Sequence, residues 1–144
     1  MLGSNACLGK CRTIVTCFRW WTRGMFAIPL TKGFADYNRR LTHYGDHAKD
    51  FGAANDIQYE RMADVFLGSP APVGAFECYR PGGDLIRYDP TTNELGILAP
   101  TGIIHSYYKP KFCKHATAIE IARRKCHRRK THLEYVKRLC TQTF

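Results

Sequence analysis

The chain has 144 residues, 44% of them hydrophobic and 12% aromatic. That is enough apolar material for one domain with its own core, and it excludes a disordered chain. The formal net charge of +10 points to a polyanionic partner, either nucleic acid or an anionic membrane surface.

In chain order, residues 1–33 read as an N-terminal segment or linker. Ile14 to Trp21 is apolar and aromatic and is compatible with an amphipathic helix, a strand or a piece of an upstream domain. Gly24, Pro29 and Gly33 punctuate the segment. Residues 1–40 carry seven Lys/Arg against one acid, net +6. A helix is predicted from about Ala35 to Asp50, with Tyr37, Arg40, Leu41, Tyr44 and Ala48 at helical spacing and Gly52 as its stop. His43 and His47 share a face of that helix, provided it continues through Gly45. A second helix is predicted over Asp56–Leu67, where Tyr59, Met62, Ala63, Phe66 and Leu67 form a stripe. Asn55 or Asp56 caps its start, and Gly68 stands where a left-handed stop glycine belongs.

From Gly74 the rhythm becomes that of strands and tight turns. Strands are predicted at Ala75–Arg80, Asp84–Tyr88, Glu94–Leu98 and Ile103–Tyr108, an antiparallel meander. Simple alternation puts Ile104, Ser106 and Tyr108 on one face of the last strand, and Ile103, His105, Tyr107 and Lys109 on the other. Residues 41–100 carry four Lys/Arg against nine acids, net −5. Residues 101–144 carry eleven against two, net +9, so a less basic body stands between two basic ends. The tail reads as helical from about Thr117 to Leu139. It contains the run Arg123-Arg-Lys-Cys-His-Arg-Arg-Lys130, which has little to bury. The expected fold class is α+β: N-terminal helices, a four-stranded antiparallel β-meander and a basic C-terminal helical tail.

The seven cysteines are Cys7, Cys11, Cys17, Cys78, Cys113, Cys126 and Cys140. An odd number cannot all pair within the chain, and reduced, buried or half-buried thiols are expected. Cys113, His115, Cys126, His127, His132 and Cys140 supply zinc-ligand chemistry, but at none of the usual finger or knuckle spacings, so no metal or other cofactor is expected. No run of about 18 apolar residues suggests a membrane span. Lys10, Arg12, Arg19 and Arg23 interrupt the N-terminal apolar pieces, unlike a signal peptide.

Four segments occur in a telling order: His43…His47-Ala-Lys-Asp-Phe51-Gly; Tyr59-Glu…Ala63…Phe66-Leu; Gly83-Asp84-Leu-Ile-Arg87-Tyr88-Asp89…Thr92-Asn93-Glu94-Leu-Gly96; and Gly102…Ser106-Tyr-Tyr108-Lys109-Pro110. Together with Thr131-His-Leu-Glu-Tyr135…Cys140 near the end, they resemble a bacterial polymorphic-toxin ribonuclease domain. Such domains form the C-terminal tips of contact-dependent inhibition toxins and belong to the barnase–EndoU–colicin–RelE-like group. The resemblance covers about residues 36–140 and implies a toxin domain over 34–144. It implies cleavage of tRNA or other cellular RNA in a cleft between helices and sheet. It also implies delivery as part of a larger secreted toxin, action in the target-cell cytoplasm, and a cognate immunity protein. The family's last strand commonly reads Arg-Thr-Tyr-Phe-Lys-Pro; here His105, Ser106 and Tyr108 replace its arginine, threonine and phenylalanine. Ser106 keeps a hydroxyl, and Ser106-x-Tyr108 resembles the Ser/Thr-x-Tyr signature of EndoU-type enzymes.

Metal-free RNA cleavage needs a base for the 2′-hydroxyl, an acid for the leaving 5′-oxygen and donors for the charged phosphorane. Histidine suits both proton roles. His47 is expected to be one proton-transfer group, with His43 its helper or the second. Arg87 and Lys109 are the candidate phosphate cations, and Ser106 and Tyr108 are candidates to hydrogen-bond the phosphate or stack a base. Arg123, Arg124, Lys125, Arg128, Arg129 and Lys130 are expected to hold the RNA backbone. Two other readings stand beside this one. In the first, the protein is a non-catalytic basic nucleic-acid-binding module, or a degenerate toxin, in which both histidines are incidental and Arg87 simply pairs with Asp84 or Asp89. In the second, it is a zinc-stabilised interaction protein.

Overall fold

The computed structural model describes residues 28–143. The readings for Ile14–Trp21, Cys7, Cys11 and Cys17 lie outside the described residues. The described chain forms an α+β fold: α1 (Tyr37–Phe51), α2 (Asp56–Gly68), strands β1 (Phe76–Tyr79), β2 (Leu85–Asp89), β3 (Glu94–Leu98) and β4 (Ile104–Tyr108), then a 3-10 turn (Cys113–His115), α3 (Ala118–Ala122) and α4 (His132–Leu139). The strands pair antiparallel in the order β1-β2-β3-β4, the expected meander.

Local chemistry explains the helix ends. The Asp36 carboxylate accepts the Arg39 N–H at 2.8 Å to start α1, and Gly52 closes it in the left-handed region at φ 65°. The side chain of Asn55 caps α2 by accepting the Gln58 N–H at 2.8 Å. Gly68 is not a left-handed stop. It is the last residue of α2, and a Cβ there would lie 2.3 Å from the Cβ of Leu30, so glycine permits close passage of the incoming chain. Leu30 and Thr31 are pinned to α2 by their N–H groups donating to the Asp64 carboxylate.

The sheet lies between two helical layers. On one face α1 and α2 close a core of Phe34, Ala48, Tyr59, Ala63, Phe66, Leu67, Ile104 and Tyr107. On the other, α4 covers Ile86, Tyr88, Leu95 and Ile97 with Val136 and Leu139. β4 departs from simple alternation. Ile97 pairs with Ser106, but Leu98 pairs with Ile104, so His105 is the extra residue of a bulge. The bulge puts Ile104 in the same core as Tyr107 and turns Tyr108 toward the α4 core.

The tail corrects two expectations. It is not helical throughout Thr117–Leu139 but forms two short helices, separated by the irregular basic stretch that follows Arg123. The Lys125 N–H donates to the Glu120 carbonyl at 2.8 Å and the Arg124 N–H to the Ile121 carbonyl at 3.0 Å, a Schellman ending with Arg124 in the left-handed region at φ 55°. The Thr117–Glu120 capping box starts α3, and Thr131 caps α4. Nor are the described cysteines reduced. Cys78–Cys140 ties the end of α4 to β1, and Cys113–Cys126 closes the loop that carries α3. Those four sulfurs are therefore not available as thiolate ligands, which removes the basis of the zinc reading.

Candidate active site

A cleft of about 480 Å³ opens beside β4, one of the two edge strands, where the two helical layers meet. α1 contributes Asp46, His47 and Lys49; β4 and the residues after it contribute Ser106, Tyr108, Lys109 and Lys111. The α3 loop adds Glu120, Arg123, Arg124 and Lys125, and the last layer adds His127 and Tyr135. Of the expected residues the fold thus brings together His47, Ser106, Tyr108, Lys109, Arg123, Arg124 and Lys125.

His47 packs its ring against Tyr108, centroids 5.4 Å apart. Burial, and then the neighbouring His43, lower its pKa to about 4, so the imidazole is neutral near pH 7. Among the described residues, no hydrogen bond occupies its ring nitrogens and none occupies the Ser106 hydroxyl. Lys109 forms no ion pair among them, and its Nζ lies 5.3 Å over the Phe51 ring. These three groups are open to a ligand.

The cleft's other cations are partly neutralised. Lys111 donates to Glu120 at 2.6 Å, and Lys49 approaches the same carboxylate at 3.9 Å. The Lys111 hydrogen bond is the main reason the Glu120 pKa falls to about 2. Lys125 pairs with Asp46. Burial opposes the Asp46 charge, yet Lys125 holds its pKa below the ordinary carboxylate range. These pairs fasten the α3 loop across to α1.

A line of rings continues behind Tyr108. Its hydroxyl is 2.8 Å from that of Tyr135, and burial pushes both phenols up, so both stay protonated. Tyr135 stacks on His127 at 4.3 Å, with ring planes 3° apart. The Arg129 N–H donates to Nδ1 of His127 at 3.3 Å, so the His127 proton is on Nε2. That Nε2–H donates to Nδ1 of His132 at 2.8 Å. With both nitrogens of His127 engaged, this residue positions Tyr135 rather than transferring protons in the cleft.

Other expected residues lie elsewhere. His43 lies behind His47, stacked on Phe34 at 4.9 Å, with Nδ1 buried and unpartnered. Arg87 is 6% exposed. It donates to Glu77 at 2.6 Å and to the carbonyls of Phe66 and Ser69 at 2.5 and 2.7 Å, which closes the end of α2. It pairs with neither Asp84 nor Asp89; Asp84 is held by Arg80. His105 is on the bulge, 3.6 Å from Asp84 and away from the cleft. Arg128, Arg129 and Lys130 line a second pocket.

Sequence reasoning assigned no cleft role to Asp46, Lys111, Glu120, His127 or Tyr135. Tyr135 stood in a segment carrying the resemblance, whereas Asp46 and Glu120 had no signal beyond their charge. No helix among the described residues is long and apolar enough to cross a membrane. No protein-family model matches the chain, and no curated protein matches it.

Proposed function

We propose that the protein is a metal-independent endoribonuclease toxin domain acting on tRNA or other cellular RNA. The observation that carries this reading is the neutral His47 imidazole, with open ring nitrogens, beside the open Ser106 hydroxyl and Lys109 ammonium in a cleft rimmed by cations. His47 removes the proton of the 2′-hydroxyl, whose oxygen attacks phosphorus. The bond to the 5′-oxygen breaks, leaving a 2′,3′-cyclic phosphate and a 5′-hydroxyl. Lys109 stabilises the phosphorane and supplies the leaving oxygen's proton, and Ser106 donates to a phosphate oxygen. Tyr108 holds the His47 ring in place. Arg123, Arg124, Lys111 and Lys125 hold the backbone, with phosphates displacing Glu120 and Asp46 from their lysines. A bound phosphate also raises the His47 pKa toward neutrality, which strengthens it as a base.

Two disulfides in the described chain support a secreted route, because such bonds form in oxidising compartments. Delivery as part of a larger toxin into the cytoplasm of a target bacterium fits that route, and the basic cleft suits an acidic cognate immunity protein.

The test incubates the purified protein, with EDTA present, with total bacterial RNA beside His47→Ala. Discrete fragments from the parent alone are expected, with the variant slower by about 10²–10⁴-fold. Intact RNA from the parent overturns the reading. The alternative, a non-catalytic RNA-binding module, is favoured by one observation: the second histidine at the cleft, His127, has both ring nitrogens engaged. It predicts salt-dependent binding without cleavage.

A further inference from the structure

Beyond the cleft, the far side of His127 walls a second pocket of about 460 Å³. Phe112, Cys113, Lys114, Ile121, Arg128, Arg129 and Lys130 complete its lining. Four of these side chains are cationic and none is acidic. No ion pair among the described residues occupies Lys114, Arg128, Arg129 or Lys130, and all four are exposed. Lys114 Nζ lies 5.3 Å over the Phe112 ring. Here the contrast with the cleft is chemical. In the cleft, Lys111 and Lys125 are already paired with carboxylates. In the second pocket no ion pair engages the four cations, so an incoming anion need displace no carboxylate from them.

The surroundings also fix the backbone that presents these cations. Residues 113 and 126 are joined by a disulfide, and Phe112 bridges His127 in a short parallel pairing. Arg129 is anchored through its N–H to His127, and the Lys130 N–H donates to Glu134 at 3.1 Å. Cations on an anchored loop around an apolar floor of Phe112 and Ile121 match what a single nucleic-acid strand needs: charge along the backbone and an apolar surface for a base.

We propose that this second pocket is a phosphate-binding subsite for the RNA strand beyond the scissile bond, formed by Lys114, Arg128, Arg129 and Lys130 and reached from the cleft across His127. The identity of the strand rests on the ribonuclease reading; the existence of the subsite does not. It divides the basic tail into two parts. Arg123, Arg124 and Lys125 serve the cleft, and Arg128, Arg129 and Lys130 lengthen the strand the protein can hold.

The experiment measures binding of fluorescein-labelled oligouridylates of about 4 and about 12 nucleotides, a range that brackets one strand-binding site. It uses the full chain carrying His47→Ala, with and without Arg128→Gln, Arg129→Gln and Lys130→Gln. The substituted residues are exposed, and an unchanged melting temperature shows that the fold is kept. The 12-nucleotide strand is expected to bind tighter than the short one, and the triple substitution is expected to lower the ratio of the two affinities. The slope of log affinity against log salt for the long strand should fall by about 2, from roughly 0.7 for each of three lost phosphate contacts. An unchanged slope and ratio, or no binding of the long strand by the chain carrying His47→Ala alone, overturns the subsite. Loss of slope, together with total RNA left intact by the chain that keeps His47, upholds the subsite and removes the ribonuclease reading, so the two fail separately.

Discussion

The two faces of the sheet are held by different means. The α1–α2 face is closed by large rings and aliphatic side chains: Tyr59 and Tyr107 are at most 1% exposed, and Tyr59 donates its hydroxyl to the Tyr107 carbonyl. Phe51, Phe66 and Tyr59 all pack on Tyr107. On the α4 face, by contrast, only Val136 and Leu139 of the helix are buried, and Cys78–Cys140 joins helix to strand. A short basic helix has too little apolar surface to dock firmly, and a covalent bond makes up the difference. The candidate site draws on both layers, with His47 from the first and Tyr135 and His127 from the second. One half of the site therefore rests on packing and the other on oxidation.

Reduction should break this comparison most visibly. The Cys78–Cys140 bond spans 62 residues, and by loop-closure entropy its loss costs about 4 kcal/mol. The 13-residue span of Cys113–Cys126 corresponds to about 3 kcal/mol taken alone. Urea unfolding of Cys78→Ser/Cys140→Ser should show the larger loss. Amide exchange in the same variant should rise first in α4, while α1 and α2 stay protected. Equal loss of protection in both layers would show that the two faces form one cooperative unit.

Acid sharpens the comparison from the other side. His47 titrates near pH 4 in the folded chain, against about 6.5 when unfolded. Between those values the unfolded chain binds a proton that the folded chain does not. Stability is therefore full above about pH 6.5 and is lost as pH falls toward 4, by an amount on the order of 2–3 kcal/mol. Burial shifts His43, His127 and His132 in the same direction. Urea midpoints between these pH values should fall less steeply for His47→Gln than for the parent. Parallel profiles would mean that His47 is not held neutral by the fold. In the ribonuclease reading, kcat/KM should rise with a midpoint nearer 4 than 6.5, and kcat with a higher one, because bound phosphate favours the imidazolium.

How legible each region was in the sequence follows the same division. The body announces itself: Tyr59, Ala63, Phe66 and Leu67 recur at helical spacing, and Pro81-Gly82-Gly83 and Asp89-Pro90 punctuate the strands, so those elements fall within a residue or two of expectation. His47, Ser106, Tyr108 and Lys109 converge because that body places α1 against β4. The bulge at His105 is hidden because an inserted residue leaves no mark on a short alternating strand, and it alone puts Ile104 and Tyr108, which alternation places together, on opposite faces. Arg87 looked like a free cation because nothing local shows that Glu77 on the neighbouring strand and the end of α2 would claim it. The tail reads as helical throughout, without its break, because that break is tertiary: cysteine pairing is not encoded in spacing, and Arg124 occupies a position where glycine would signal a stop.

Arg124 gives the smallest and most discriminating test. A left-handed conformation costs a residue with a Cβ about 1 kcal/mol relative to glycine, and the Schellman ending of α3 holds Arg124 there at φ 55°. If only the turn mattered, glycine would serve better. The side chain lines the cleft and is exposed, and in the ribonuclease reading its cation is what the turn holds toward the RNA. Arg124→Gly should therefore leave the protein as stable or up to about 1 kcal/mol more stable, while, in that reading, the salt dependence of RNA binding falls by about 0.7 for one lost phosphate contact. Arg124→Ala should lose the same contact without the gain in stability. A glycine variant that binds RNA with an unchanged salt slope would make Arg124 a tolerated misfit in a turn and would move the strand's path away from the α3 loop. A stability gain paired with weaker binding would instead mark this loop as the place where the second layer gives up stability to hold RNA.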